Sequence, residues 1–243
     1  MIALLLLLQS APAETAEARF EKCADLAVDD PARGEAEASA WRLAGGGFLA
    51  RQCLGLAYAA AHNYVAAADA FTEAARAAEV AKDARVANYW AQAGNAWLAA
   101  NEPAKARAAI DAALATGTLT GLALGEAHLD RARAVVASGD PLAARGDLDR
   151  ALALAPADPL AWLLSATHAR RTADLARAQK DIAEALKLSP DDAAVQVEAG
   201  NIAALAGDEA VAKAAWTRAT QLAPDSPSAK AAGTALAQFS AGK

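Results

Sequence analysis

Small and apolar residues recur along this chain at spacings of three and four positions, which is the pattern of helices that bury one face. In the second half the pattern repeats as a block, because Pro156, Pro190 and Pro224 each follow a helical stretch and lie 34 residues apart. A small residue stands five positions before each proline and a large one eight positions before it: Ala151, Ala185 and Ala219, and Leu148, Ile182 and Trp216. A fixed period of this length predicts a solenoid of helical hairpins.

The composition favours helices over sheets along the whole chain. Of the 243 residues, 55% are hydrophobic but only 5% are aromatic, and much of the hydrophobic fraction is alanine. Alanine is the strongest helix former and its small side chain lets helices approach closely, whereas strands favour β-branched and aromatic residues. The chain is therefore predicted to be all-α.

A two-helix motif accompanies the period. It is clearest where L-G-x-x-Y at 54–58 is followed by A-x-x-x-F-x-x-A at 67–74. This pattern resembles the tetratricopeptide repeat, in which a helix bearing W-x-x-L-G-x-x-Y precedes one bearing A-x-x-x-F-x-x-A and then a proline. The resemblance implies a right-handed superhelical solenoid of about six helix-turn-helix repeats, closed by a C-terminal capping helix and offering a concave protein-binding groove.

The register of the motif divides the chain into segments. Residues 1–13 are predicted to be a signal peptide, residues 14–47 a degenerate N-terminal repeat, and residues 227–243 the capping helix and tail. Five repeats are expected between them, at about 48–86, 87–124, 125–158, 159–192 and 193–226.

The N-terminus predicts export. An apolar run at 2–8 precedes Ala11-Pro12-Ala13, an A-x-A pattern of the kind that signal peptidase cleaves. Cleavage is expected near Ala13. The apolar run is far shorter than the 20 or so apolar residues that a spanning helix needs, and nothing later in the chain supplies such a segment. We therefore expect a mature chain without a transmembrane segment. A hydrophobic N-terminal helix or a wrongly chosen start codon is the alternative. We expect a periplasmic or secreted protein of a bacterium.

The resemblance also places the two cysteines, Cys23 and Cys53, at nearly equivalent points on the first helices of adjacent repeats. Such helices are neighbours in this fold, and an exported chain meets an oxidising compartment. A disulfide between them is therefore expected, with two buried free thiols as the alternative.

The charged residues give no indication of catalysis, a cofactor or nucleic-acid binding. The formal net charge is −6 and the basic residues form no long run, which argues against a nucleic-acid partner. None of His62, His128 and His168 has a second metal-type residue one helical turn away, so no metal site is expected. No nucleotide-binding or nucleophile motif is present. We therefore expect no cofactor and no enzymatic activity.

The resemblance implies which side chains line the groove. They are first-helix residues at or near the position after the small residue of the motif: Gln52, Asn95, Arg133, Thr167, Arg170, Arg171 and Asn201. Amides at this place can pair with the backbone of an extended peptide, and arginine binds carboxylates through two parallel hydrogen bonds. The family's carboxylate clamp is not reproduced, because Ala91 and Val197 stand where it needs lysine. Solvated arginines without a binding role are the alternative.

Three functions are consistent with these patterns. The favoured one is a non-catalytic periplasmic scaffold that binds a protein or an extended peptide in the groove. The alternative is a structural component of a cell-envelope assembly, joined through the solenoid ends or the convex face. An enzyme acting on cell-wall material is disfavoured, because the repeats leave no residues for a catalytic domain.

Overall fold

The computed structural model describes the backbone of residues 14–241 and the side chains of residues 14–239, so the expected signal peptide lies outside the described residues. This part of the chain contains thirteen α-helices and one short 3₁₀ helix, and no strand occurs within it. The all-α prediction is confirmed. Contacts between Cα atoms divide the chain after Ala100 into two compact units.

The first unit consists of five helices: α1 (Ala16–Asp29), α2 (Pro31–Leu43), α3 (Gly47–Ala60), α4 (Tyr64–Ala81) and α5 (Val86–Ala99). Helix α3 lies against α1, α2 and α4, and α5 packs on α4. Side chains mark where helices begin: the Thr15 hydroxyl oxygen accepts from the Ala18 N–H, and the Asp30 carboxylate accepts from the Arg33 N–H. Each bond satisfies an amide that the helix itself leaves unpaired.

Glycine allows α3 and α4 to approach closely. A Cβ atom on Gly55 would lie 2.6 Å from the ring of Phe71, which is buried on α4. The small residue of the two-helix motif is therefore required by the large residue sixteen positions later. Only a side chain without a Cβ fits under this ring.

The second unit continues with eight α-helices and the 3₁₀ helix Pro141–Ala144. The α-helices are α6 (Pro103–Ala115), α7 (Gly121–Ala137), α8 (Arg145–Leu154), α9 (Pro159–Arg171), α10 (Leu175–Leu188), α11 (Ala193–Leu205), α12 (Glu209–Leu222) and α13 (Pro227–Ala241). Helices α7 and α8, α9 and α10, and α11 and α12 pack as pairs. Helix α13 lies on α11 and α12.

Aspartates cap the 3₁₀ helix and the helices α9 to α12 of this unit, and they recur at the repeat period. Asp140, Asp174 and Asp208 lie 34 residues apart, and each accepts a hydrogen bond from the N–H three residues later. Asp158 and Asp192 do the same for α9 and α11, accepting from the N–H two residues later. An N-cap of this kind contributes about 1 kcal/mol, so the period encodes helix starts as well as core positions.

Core positions of the motif are buried in every pair of this unit. Leu148, Ile182 and Trp216 are between 2% and 6% exposed. A Cβ atom on Gly200 would collide with the Trp216 indole, just as a Cβ atom on Gly55 would collide with the Phe71 ring in the first unit. The other side of Trp216 faces Phe239 of α13, with ring centroids 5.5 Å apart. Helix α13 thus covers apolar surface of α11 and α12 that water would otherwise reach.

Candidate functional site

The seven predicted groove residues lie on first helices of both units. In the first unit, Gln52 is on α3 and Asn95 is on α5. The remaining five are on three helices of the second unit: Arg133 on α7, Thr167, Arg170 and Arg171 on α9, and Asn201 on α11.

In the first unit, side-chain amides of α3 and α5 lie next to each other. The Gln52 Nε2 atom donates to Oε1 of Gln92, 3.2 Å away. Asn95 is exposed and lies three residues after Gln92, so the two side chains are on the same face of α5. One hydrogen bond between two amides uses a single donor and a single acceptor, so these side chains keep further donors and acceptors for a ligand.

Three of the predicted residues line one cavity in the second unit, which we call the α7–α9 cavity. Arg133, Thr167 and Arg171 are part of its wall, and its volume is about 390 Å³. The rest of the wall is mainly apolar: Ala132, Val136, Ala137, Pro141, Leu148, Leu164 and His168. An apolar cavity of this size with a few polar groups is typical of a ligand-binding pocket.

The two arginines of this cavity differ in their partners. Arg133 donates from Nη1 to Oδ1 of Asp130 on its own helix at 2.8 Å. Burial raises the pKa of Asp130, and the Arg133 charge opposes that rise. Arg171 is exposed and has no hydrogen bond or ion pair with any residue that the structure describes. Its guanidinium therefore keeps its full binding capacity.

His168 contributes a buried polar ring to the same wall. Its side chain is 7% exposed, and Nε2 lies 2.7 Å from the carbonyl oxygen of Pro141. Because a carbonyl only accepts, Nε2 carries the proton in this bond. The Nδ1 atom is buried and has no partner among the described residues. An unpaired buried acceptor costs free energy.

Arg170 and Asn201 belong to a different part of the second unit. Arg170 binds the buried carboxylate of Glu198 through Nε at 2.6 Å and Nη2 at 3.1 Å. Asn201 accepts from Nε1 of Trp216 at 3.1 Å and donates to Glu198 at 3.4 Å. Both line an open depression of about 510 Å³ beside α13. Their role in ligand binding stays a prediction, since each already has partners within the chain.

Sequence reasoning missed two buried ionic clusters. Asp147 of α8 accepts from Nδ1 of His128 at 2.8 Å and from Nε and Nη2 of Arg131 at 2.8 and 2.6 Å. Asp181 of α10 accepts from the Ser165 hydroxyl at 2.5 Å and from Nε of Arg177 at 3.1 Å. Both join the two helices of a pair. The repeat contained the signal, because these aspartates stand 34 residues apart and nine before a proline, on otherwise apolar faces.

Replacing Asp147 with asparagine is expected to lower the free energy of unfolding by about 2 kcal/mol at pH 7, because charge-assisted hydrogen bonds to Arg131 are lost. Burial alone would raise the pKa of Asp147, but the hydrogen bonds from Arg131 and His128 outweigh it and hold that pKa below its ordinary value. The carboxylate thus stabilises the fold fully at neutral pH and less as the pH falls through its lowered pKa.

Urea melts of wild type and Asp147→Asn at several pH values measure this effect. The difference between them should be largest near neutrality and shrink below about pH 4. Asp225→Asn, at an exposed carboxylate, is the control and should change stability little at any pH. A pH-independent difference for Asp147→Asn would contradict the assignment.

Within residues 14–239, no group of three or more His, Cys, Asp and Glu side chains is arranged to hold a metal ion. None of the described helices combines the length and apolar character needed to cross a bilayer.

The sequence matches no protein-family model and no curated protein. Solved structures do share its fold. PilW, described as a widely conserved type IV pilus biogenesis factor, has a TM-score of 0.72 at 19% identity, over 89% of this chain and 97% of its own. PilF of Pseudomonas aeruginosa has a TM-score of 0.70 at 13% identity, over 95% of this chain and 100% of its own. YrrB, described as a TPR protein with an unusual peptide-binding site, has a TM-score of 0.59 at 18% identity, over 81% of this chain and 95% of its own.

These similarities establish the class of fold. The chain has the fold of tetratricopeptide-repeat proteins. The predicted fold class, with paired helix-turn-helix repeats followed by a final helix, is therefore confirmed.

Proposed function

We propose that this protein is an exported, non-catalytic scaffold that binds a protein or an extended peptide, with the α7–α9 cavity as a principal contact. The observation that carries the proposal is the convergence of Arg133, Thr167 and Arg171 around one apolar cavity. An apolar wall with a cation at its edge binds an amphipathic surface, and no cofactor or metal is needed for that.

The structural neighbours support binding as the type of activity. YrrB is described as having a peptide-binding site and PilW as a pilus biogenesis factor. Paired helices of this kind present side chains on a rigid framework, so a partner meets groups whose positions are already fixed. Binding of this kind is not catalytic, so it does not require an acid, a base and a nucleophile that converge on one point.

Export is supported by two independent features. The first is the apolar N-terminal run followed by Ala11-Pro12-Ala13. The second is the bond between Cys23 and Cys53, which are 1% and 0% exposed in the first unit. Disulfides persist mainly in oxidising compartments. We propose a periplasmic or secreted location, tested by releasing the tagged protein from intact cells by osmotic shock.

Photo-crosslinking in the source organism tests the binding proposal. A photoreactive amino acid replaces Thr167 in the cavity wall or, as the matched control, the exposed Arg150 of α8. A protein partner is expected to crosslink from position 167 and not from position 150. The crosslink from position 167 should disappear when Arg133→Ala and Arg171→Ala are added.

The result also decides between the two candidate classes. Crosslinks that form only at outer positions, such as Arg150 or the 88% exposed Val80, would favour a structural component joined through its ends or outer face. An absence of protein crosslinks from all these positions would refute a scaffold role.

A further inference from the structure

We infer that the α7–α9 cavity recognises a peptide segment in which an acidic side chain lies next to an aromatic or aliphatic one. This inference rests on the proposed function and specifies the chemistry of the partner. The apolar side chain enters the cavity, and the acidic side chain binds the guanidinium of Arg171 at its edge.

The apolar half of the recognition follows from the cavity wall. Val136 and Leu164 face the cavity together with Leu148, the buried large residue of the α7–α8 pair. A cavity of about 390 Å³ admits an aromatic side chain or two aliphatic ones, and filling it removes apolar surface from water on both partners. The wall thus discriminates against peptides that offer only small polar side chains.

The acidic half follows from the charges around the cavity. On α9, Arg170 is neutralised by the buried carboxylate of Glu198, whereas its neighbour Arg171 has no partner among residues 14–239. Arg133, 41% exposed in its side chain, forms an ion pair with Asp130 of its own helix. The uncompensated positive charge at the apolar wall is therefore that of Arg171. Such charge complements a carboxylate. A basic side chain next to the apolar one gains no comparable contact, because it meets the guanidinium of Arg171, which has no partner among residues 14–239.

A positional-scanning peptide array tests the inference with the purified mature protein. Two adjacent central positions vary over all amino acids, the flanking positions are equal mixtures, and both ends are capped so that only side chains carry carboxylates. Pairs of an aromatic or aliphatic residue with Asp or Glu should bind about threefold to tenfold more tightly than the same residue with Asn or Gln.

Two variants separate the halves of the site. Arg171→Gln should remove the preference for Asp and Glu over Asn and Gln while keeping the preference for a large apolar neighbour. Val136→Phe, which fills the cavity, should remove the apolar preference and keep the acidic one. Arg150→Gln, at an exposed arginine outside the cavity, is the control and should leave both preferences unchanged.

Equal binding of acidic and amide pairs by the wild type, or an acidic preference that survives Arg171→Gln, would overturn the inference. So would an array on which no pair is preferred. In each of these cases a protein crosslink from position 167 would leave the scaffold function standing and refute only the recognition chemistry. If the array and the crosslinking both fail, the proposed function fails as well.

Discussion

Replacing Trp216 with alanine is expected to lower the free energy of unfolding by about 3 to 5 kcal/mol. The indole is 3% exposed, lies against Gly200 of α11 and stacks edge-on with Phe239 of α13. Alanine would leave a cavity between three helices and deprive the Asn201 side-chain oxygen of its donor. The loss is large because this one side chain joins α11, α12 and α13.

Urea denaturation followed by circular dichroism measures this loss. Trp162→Ala is the matched control, because that indole is only half-buried and its Nε1 donates to the carbonyl oxygen of Pro156. Its cost should be clearly smaller. A Trp216→Ala protein within 0.5 kcal/mol of wild type, roughly the effect of a surface substitution, would show that the indole is not a core residue.

A double-mutant cycle with Gly200 tests the packing directly. Gly200→Ala should cost about 1 to 3 kcal/mol in the wild type, because the new Cβ collides with the Trp216 indole. In the Trp216→Ala background the space is free, and alanine favours the helix over glycine by about 1 kcal/mol. There the change should be neutral or stabilising. An equal cost in both backgrounds would contradict the close contact.

The fold was predictable because the residues that specify it repeat. Gly200 and Trp216 stand sixteen positions apart, as do Gly55 and Phe71, and the structure brings each pair into contact. The period fixes the position of a core residue relative to the next proline, and stacking then needs only local contacts between successive helices. Helix starts follow in the same way from the aspartates that cap them.

The candidate site was less predictable because side-chain pairing depends on neighbours that the period does not specify. Arg170 and Arg171 are adjacent and chemically identical, yet Glu198 of another helix pair binds the first, and the second has no partner among the described residues. The equivalent position of the preceding repeat is Leu164, so the period does not predict a carboxylate beside Arg170. Which arginine can bind a ligand therefore became visible only in the folded chain.

Loss of the disulfide between Cys23 and Cys53 is expected to lower the free energy of unfolding by about 3 to 4 kcal/mol. The bond joins α1 to α3 and closes a loop with a sequence separation of 30 residues. In the chain-entropy model, a closed loop of this length removes that amount of conformational freedom from the unfolded state. Both cysteines are buried and replaceable by alanine, so the native contacts around them should change little.

The measurement compares thermal and urea unfolding of oxidised wild type, reduced wild type and Cys23→Ala/Cys53→Ala. Reduced wild type should unfold with the double variant, and the reductant should leave the double variant unaffected. The single variant Cys23→Ala is the matched control, because it removes the bond while keeping one thiol and should resemble the double variant. Oxidation is verified by a mass lower by two hydrogen atoms. A wild type whose mass and stability do not respond to reductant contains free thiols, and the bond would then lose its value as support for export.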